Sequence, residues 1–116
     1  NIIVCGHSNC GGCAALWMDE AKFSKTPNVK RWLDLLEPVK KRVQKLFGDN
    51  IAKREWITER LSLVNSFENL LSYPDVKAKF KDEELKIYAW HYIIETGEIY
   101  NYNFVTKSFK LLGVEK

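Results

Sequence analysis

Long apolar runs are missing from this chain: no stretch of about eighteen consecutive apolar residues occurs, so no membrane-spanning helix and no membrane partner are expected. Charge of one sign is not in excess either. Eighteen basic and fifteen acidic residues leave a net charge of +3, too even a balance to point to nucleic acid as a partner. Cysteine is sparse and odd in number. Cys5, Cys10 and Cys13 fall close together at one end, which excludes a disulfide framework and reads as free thiols in a reducing, cytoplasmic setting. Internal repeats and low-complexity segments are absent as well, so neither a solenoid nor a disordered linker is expected. What remains is a chain of 116 residues, 46% hydrophobic with four Trp, enough for the core of one modest domain.

The most informative stretch is the first. Ile2, Ile3 and Val4 form a short β-branched run that reads as a strand covered on both faces and stopping at Gly6. From Ala14 to Trp17 the composition turns to helix formers. His7, Ser8, Asn9 and Cys10 are thereby placed between a strand's carboxyl end and a helix's first residues, where ligands bind in open α/β sheets. Imidazole nitrogen and thiolate sulfur are favoured donors for zinc, and two intervening residues let His7 and Cys10 converge on one ion. Cys10 also stands at the helix start, where N–H groups without intrahelical partners favour a negatively charged atom. Gly11 and Gly12 remove side chains where backbone would approach a ligand.

In these residues the chain resembles the β-class carbonic anhydrases. Their second metal motif is a hydrophobic strand followed by Cys-Gly-His-Ser-x-Cys-Gly-Gly, matched here by Cys5-Gly6-His7-Ser8-Asn9-Cys10-Gly11-Gly12. The likeness continues at Val64-Asn65-Ser66 with Asn69-Leu70-Leu71-Ser72-Tyr73-Pro74, and at Trp90-His91-Tyr92 with Glu95-Thr96-Gly97. Ala89 stands where the family usually has Gly, and Ile93 and Ile94 where it often has polar residues. The resemblance implies reversible hydration of carbon dioxide to bicarbonate and a proton at one zinc ion per subunit. It also implies His7 and Cys10 as two of three protein ligands, with backbone at Gly11 and Gly12 beside the substrate. Two thiolates would donate more charge to zinc than imidazoles do, which gives weight to a hydrogen-bonding Asp nearby.

The family takes its other zinc-binding Cys and an Asp/Arg pair from a Cys-x-Asp-x-Arg motif, and no such motif occurs here. The chain also opens on Asn1, directly on a strand that needs neighbours. It is therefore expected to be the back part of a larger domain, residues 1–116 forming a single-domain fragment with no catalytic residue of its own. Two protein ligands hold zinc poorly. Alone, the fragment is expected to be inactive or nearly so, its site empty or completed by water, a buffer ion or an outside thiol.

Downstream, a short helix ends near Met18 to Ala21 and a polar loop covers Lys22 to Pro27. Asn28 can cap a helix carrying Val29, Trp32, Leu33 and Leu36, and Pro38 restarts it so that Val39, Val43, Leu46 and Phe47 extend the stripe to Gly48. Lys40, Lys41, Arg42 and Lys45 lie on the other face; Asp34, Glu37 and Asp49 dilute their charge, and the face reads as solvated. A long helix from about Ile51 to Ser72 has an apolar surface wide enough for contact on two sides, which with the aromatic hairpin suggests a homodimer or higher homo-oligomer. Pro74 ends it. Leu85 to Ile94 and Ile99 to Val105 read as strands joined by a hairpin turn at Glu95-Thr96-Gly97-Glu98. The fold class is α/β: a partial parallel sheet with helical crossovers and a C-terminal antiparallel hairpin.

Three further residues have plainer readings. Cys5 on the strand and Cys13 inside the helix read as small core residues; His91, among aromatics, reads as structural. A non-catalytic alternative stays open, in which His7, Cys10 and Cys13, with or without Cys5, hold a structural zinc or iron–sulfur cluster, or the chain is an interaction module.

Overall fold

The structure is a computed structural model that describes residues 1–48 and 50–113. Asp49, named above among the acids of the helix face, and the tail residues 114–116 lie outside it. Strand β1 (Ile2–His7) leads through α1 (Gly11–Ala15), a 3-10 turn at Glu20–Phe23, α2 (Pro27–Asp34), α3 (Glu37–Phe47), α4 (Ile51–Leu71) and α5 (Pro74–Lys81). The chain then enters β2 (Ile87–Tyr92), β3 (Ile99–Asn103) and β4 (Ser108–Leu111). It divides into two compact units, one made of Asn1–Ser8 with the chain from Leu63 onward, the other of Asn9–Ser62. Among the described residues no helix is long and apolar enough to cross a membrane.

The first unit holds a mixed sheet in the order β1-β2-β3-β4. β1 and β2 run parallel, Ile2 opposite Ile87 through to His7 opposite Tyr92; β3 and β4 return antiparallel. The hairpin turn forms where the sequence places it. Ile93 N–H donates to the Glu98 carbonyl at 2.8 Å and Gly97 N–H to the Ile93 carbonyl at 2.8 Å, while Gly97 takes φ +78°, a conformation that glycine adopts without a Cβ penalty.

Strand β4 goes beyond the three strands expected. Asn103 Oδ1 accepts the N–H groups of Val105 and Thr106 at 2.9 and 3.1 Å, a side-chain-stabilised turn that folds the tail back on β3. Ser108, Phe109, Lys110 and Leu111 alternate polar and apolar with matching exposure, the shortest run that reads as a half-buried strand. The core of this unit is Leu63, Phe67, Ile87 and Ala89, with Ile2, Val4, Leu70, Phe80, Tyr102 and Phe109 packed around it. Phe67 meets Phe80 edge to face at 6.3 Å and Tyr102 at 6.2 Å, a favoured geometry for aromatic pairs.

Two expectations for β1 change. Its residues alternate between half-buried and exposed rather than being covered on both faces, because only the face with Ile2 and Val4 packs against the core; β1 is also the edge strand of this sheet. Cys5 accordingly is exposed and is not a core residue.

In the second unit Leu16, Phe23 and Leu33 form a buried cluster, and Val39 and Val43 are buried on α3. Each of the chain's three prolines lies in the first turn of a helix, α2, α3 or α5, where the missing N–H costs nothing and φ is already helical. This displaces the expected cap: Thr26 precedes α2, and Asn28 lies inside it because Pro27 takes the first helical position. Pro74 likewise opens α5 rather than only closing α4. Leu46, expected on the apolar stripe, is exposed. Trp17 donates its indole N–H to Thr58 Oγ1 at 3.1 Å beneath the Arg54 guanidinium, 4.6 Å from its ring. Lys40 also reaches that ring, while Lys41, Arg42 and Lys45 are exposed to solvent as read.

Replacing Phe67, 3% exposed, with Ala should cost about 3–5 kcal/mol of stability. Replacing Trp32, 72% exposed, should change it by no more than about 0.5 kcal/mol. Urea midpoints of the two variants read the difference, and equal midpoints would contradict this placement of the core.

Candidate metal centre

His7 is the last residue of β1, and its ring nitrogen Nδ1 lies 2.8 Å from the carbonyl oxygen of Ser8. A carbonyl can only accept, so in the neutral ring Nδ1 carries the proton and Nε2 presents its lone pair outward. That is how metal-ligating histidines are commonly held: one nitrogen donates to an oxygen, the other is left for the ion. The ring is exposed, hence open to a ligand.

Ser8 is fixed in turn. Its backbone N–H donates to the Tyr92 carbonyl at 2.9 Å, its Oγ accepts the Ile94 N–H at 2.9 Å, and its hydroxyl donates to Glu95 Oε2 at 2.9 Å. Asn9 follows with φ +51°, in the left-handed region that Asn tolerates better than most residues. The chain can thus reverse directly after the strand.

Cys10 opens α1. Its backbone is extended (φ −72°, ψ 116°), and its carbonyl accepts the Ala14 N–H at 3.0 Å, beginning the helix. Its N–H donates to Oε2 of Glu59, a buried carboxylate on α4, at 3.4 Å. The Cys10 thiol is half-buried and in no disulfide. A Cβ added at Gly11 would meet nothing within 4 Å, and one at Gly12 would come to 3.8 Å from Cys10 Sγ, so the glycine pair leaves the flank of that sulfur uncrowded.

Cys13 differs in kind. It is buried, and burial pushes its thiol up to about 12, with Cys10 and Glu59 adding to the rise and a hydrogen bond with Ser62 opposing it. Enclosed in this way, Cys13 packs as the small core residue read from sequence. His91 is fully buried on β2, with its ring edge to face with Phe109 at 6.5 Å, in keeping with a structural role.

The four site residues named from sequence therefore fall as one imidazole at the end of β1 and one thiol with two glycines at the start of α1, joined by Ser8-Asn9. Among the described residues no group of three or more His, Cys, Asp or Glu is placed to hold a metal ion. Spacing alone assigns no role to Ser8, Glu59 or Glu95, because the partners they meet lie 87 and 49 positions apart in the chain. The family likeness includes Ser8 and Glu95 in separate stretches of the chain, and nothing in those stretches says that the two meet.

A sequence profile of the carbonic anhydrase family matches residues 1–99. A carbonic anhydrase of Helicobacter pylori is 47% identical over 117 aligned residues, covering 97% of this chain and 53% of that protein. β-Carbonic anhydrase 3 of Arabidopsis thaliana is 33% identical, over 84% of this chain and 39% of the relative. In three dimensions the chain is similar to the β-carbonic anhydrase CcaA, with a TM-score of 0.87 at 27% identity, covering 98% of this chain and 52% of CcaA. The chain spans about half the length of relatives such as the Helicobacter enzyme. Agreement this extensive in both sequence and backbone reflects common descent, and the chain belongs to the carbonic anhydrase family, in its β class.

Proposed function

We propose that the protein containing these residues is a zinc-dependent carbonic anhydrase that interconverts carbon dioxide with bicarbonate and a proton. The observation that carries the reading is the 2.8 Å approach of His7 Nδ1 to the Ser8 carbonyl, which leaves Nε2 for a metal three positions before the free thiol of Cys10. Both donors suit zinc. When bound, zinc acidifies water and supplies the nucleophile for hydration, an effect for which carbonic anhydrases are themselves the standard example.

The chain's own residues then have distinct tasks. His7 and Cys10 bind the ion, Glu59 accepts the Cys10 N–H, the Ser8 carbonyl orients the His7 ring, and the bare backbone of Gly11 and Gly12 leaves room for a small neutral substrate. The third ligand and an Asp/Arg pair belong to the Cys-x-Asp-x-Arg motif that these 116 residues lack. The reading places these residues, which span about half the length of the relatives they match, in a cytoplasmic homo-oligomer built on dimers, with neither nucleic acid nor membrane as partner. Support for the cluster alternative is weak, because Cys13 is buried with its thiol raised and Cys5 projects from an edge strand.

Three outcomes test this. In the complete gene product, His7→Ala and Cys10→Ser should each lower zinc, measured by elemental analysis after dialysis, well below one ion per subunit, while Cys13→Ala should leave it unchanged; retention of zinc in the first two would refute the site. The 116-residue chain alone should show almost no carbon dioxide hydration by stopped flow, and hydration at the complete protein's rate would contradict the division of ligands. Light scattering of the complete protein should give a dimer or a multiple of it; a monomer would remove the assembly from the proposal.

A further inference from the structure

The hydrogen bonds around Ser8 assign a task to a residue of the hairpin turn. We infer that Glu95, acting through Ser8, is a positioning residue for the zinc ligand His7; this rests on the metal reading above. The acceptor that selects the His7 tautomer is the Ser8 carbonyl, 2.8 Å from Nδ1. How that carbonyl points depends on how firmly Ser8 is held, and its side chain is held twice. A carboxylate accepts, so the Ser8 hydroxyl proton is committed to Glu95 Oε2 at 2.9 Å. With the proton so placed, an Oγ lone pair is free to receive the Ile94 N–H, also at 2.9 Å. The Ser8 N–H, bonded to the Tyr92 carbonyl, supplies the third restraint.

Glu95 is itself placed by a well-made turn. Gly97 and Thr96 N–H groups return to the Ile93 carbonyl at 2.8 and 3.3 Å, and Thr96 Oγ1 donates to Glu98 Oε1 at 2.8 Å. The route therefore runs from the β2–β3 turn through the Glu95 carboxylate and the Ser8 hydroxyl to the Ser8 peptide and the His7 ring. Without Glu95 the Ser8 hydroxyl can rotate and its carbonyl can turn away, and the ring then loses the bond that presents Nε2. Partners that orient a ligand in this way typically contribute about 10–100-fold to metal affinity.

The test uses the complete gene product, stripped of metal and titrated with zinc against a chromophoric chelator, with the Co(II)-substituted absorption spectrum as a second readout. Ser8→Ala and Glu95→Ala should each weaken zinc about 10–100-fold and alter the Co(II) bands. Glu95→Gln, whose amide oxygen can still accept the Ser8 hydroxyl, should restore affinity to within about threefold of the parent. Because Glu95 is exposed, its variants keep the test valid even if Ser8→Ala folds poorly. If His7→Ala loses zinc while Ser8→Ala and Glu95→Ala keep parental affinity and spectra, the positioning role is overturned and the metal site stands. Failure of Glu95→Gln to restore affinity would also overturn it, since the route is a hydrogen bond. If His7→Ala itself keeps zinc, the metal reading falls and this inference with it.

Discussion

The parallel pairing of β1 with β2 is the constraint on which the rest of the site depends. Parallel strands end at the same edge of a sheet, so the register from Ile2–Ile87 to His7–Tyr92 brings the Ser8 turn beside the start of the β2–β3 turn. Almost the whole helical part of the chain lies between those two points in sequence, as a parallel connection requires a crossover. Once the ladder is formed, Ser8 can meet Tyr92, Ile94 and Glu95 without any further long-range closure.

What keeps the ladder in register is the packing of one face of the sheet. Ile87 and Ala89 of β2 are buried with Leu63 and Phe67 of α4, and Ile2 and Val4 of β1 pack on the same cluster. A slip of one residue in β1 would exchange this half-buried set for Ile3, Cys5 and His7, which now face outward. The exposed position of the His7 ring is thus a consequence of burying Ile2 and Val4. Core packing and the outward direction of the His7 side chain are set by the same alternation.

The donor at the start of α1 is held by a different device. Glu59, buried on α4, receives the Cys10 N–H, one of the donors that a helix start leaves without an intrahelical partner. A buried carboxylate needs such donors, and a helix start has them to give. The same neighbourhood raises the Cys13 thiol. Two cysteines three positions apart therefore differ in burial, one half-buried and the other enclosed.

Much of this was legible in the order of residues. The strand-to-helix turn with His7 and Cys10, the glycine pair, the hairpin at Gly97 and the helices follow from local composition and spacing, because a turn or a helical stripe is fixed by neighbours in the chain, and the family is legible in the motif that Cys5 to Gly12 match. The exposure of Cys5, the raised thiol of Cys13, the return of β4 and the bonds of Ser8 to Glu95 and of Cys10 to Glu59 were decided only in three dimensions. Each depends on which distant segment lies alongside, and that is set by the burial of Leu63, Phe67, Ile87 and Ala89 together, a condition that no local stretch of sequence expresses.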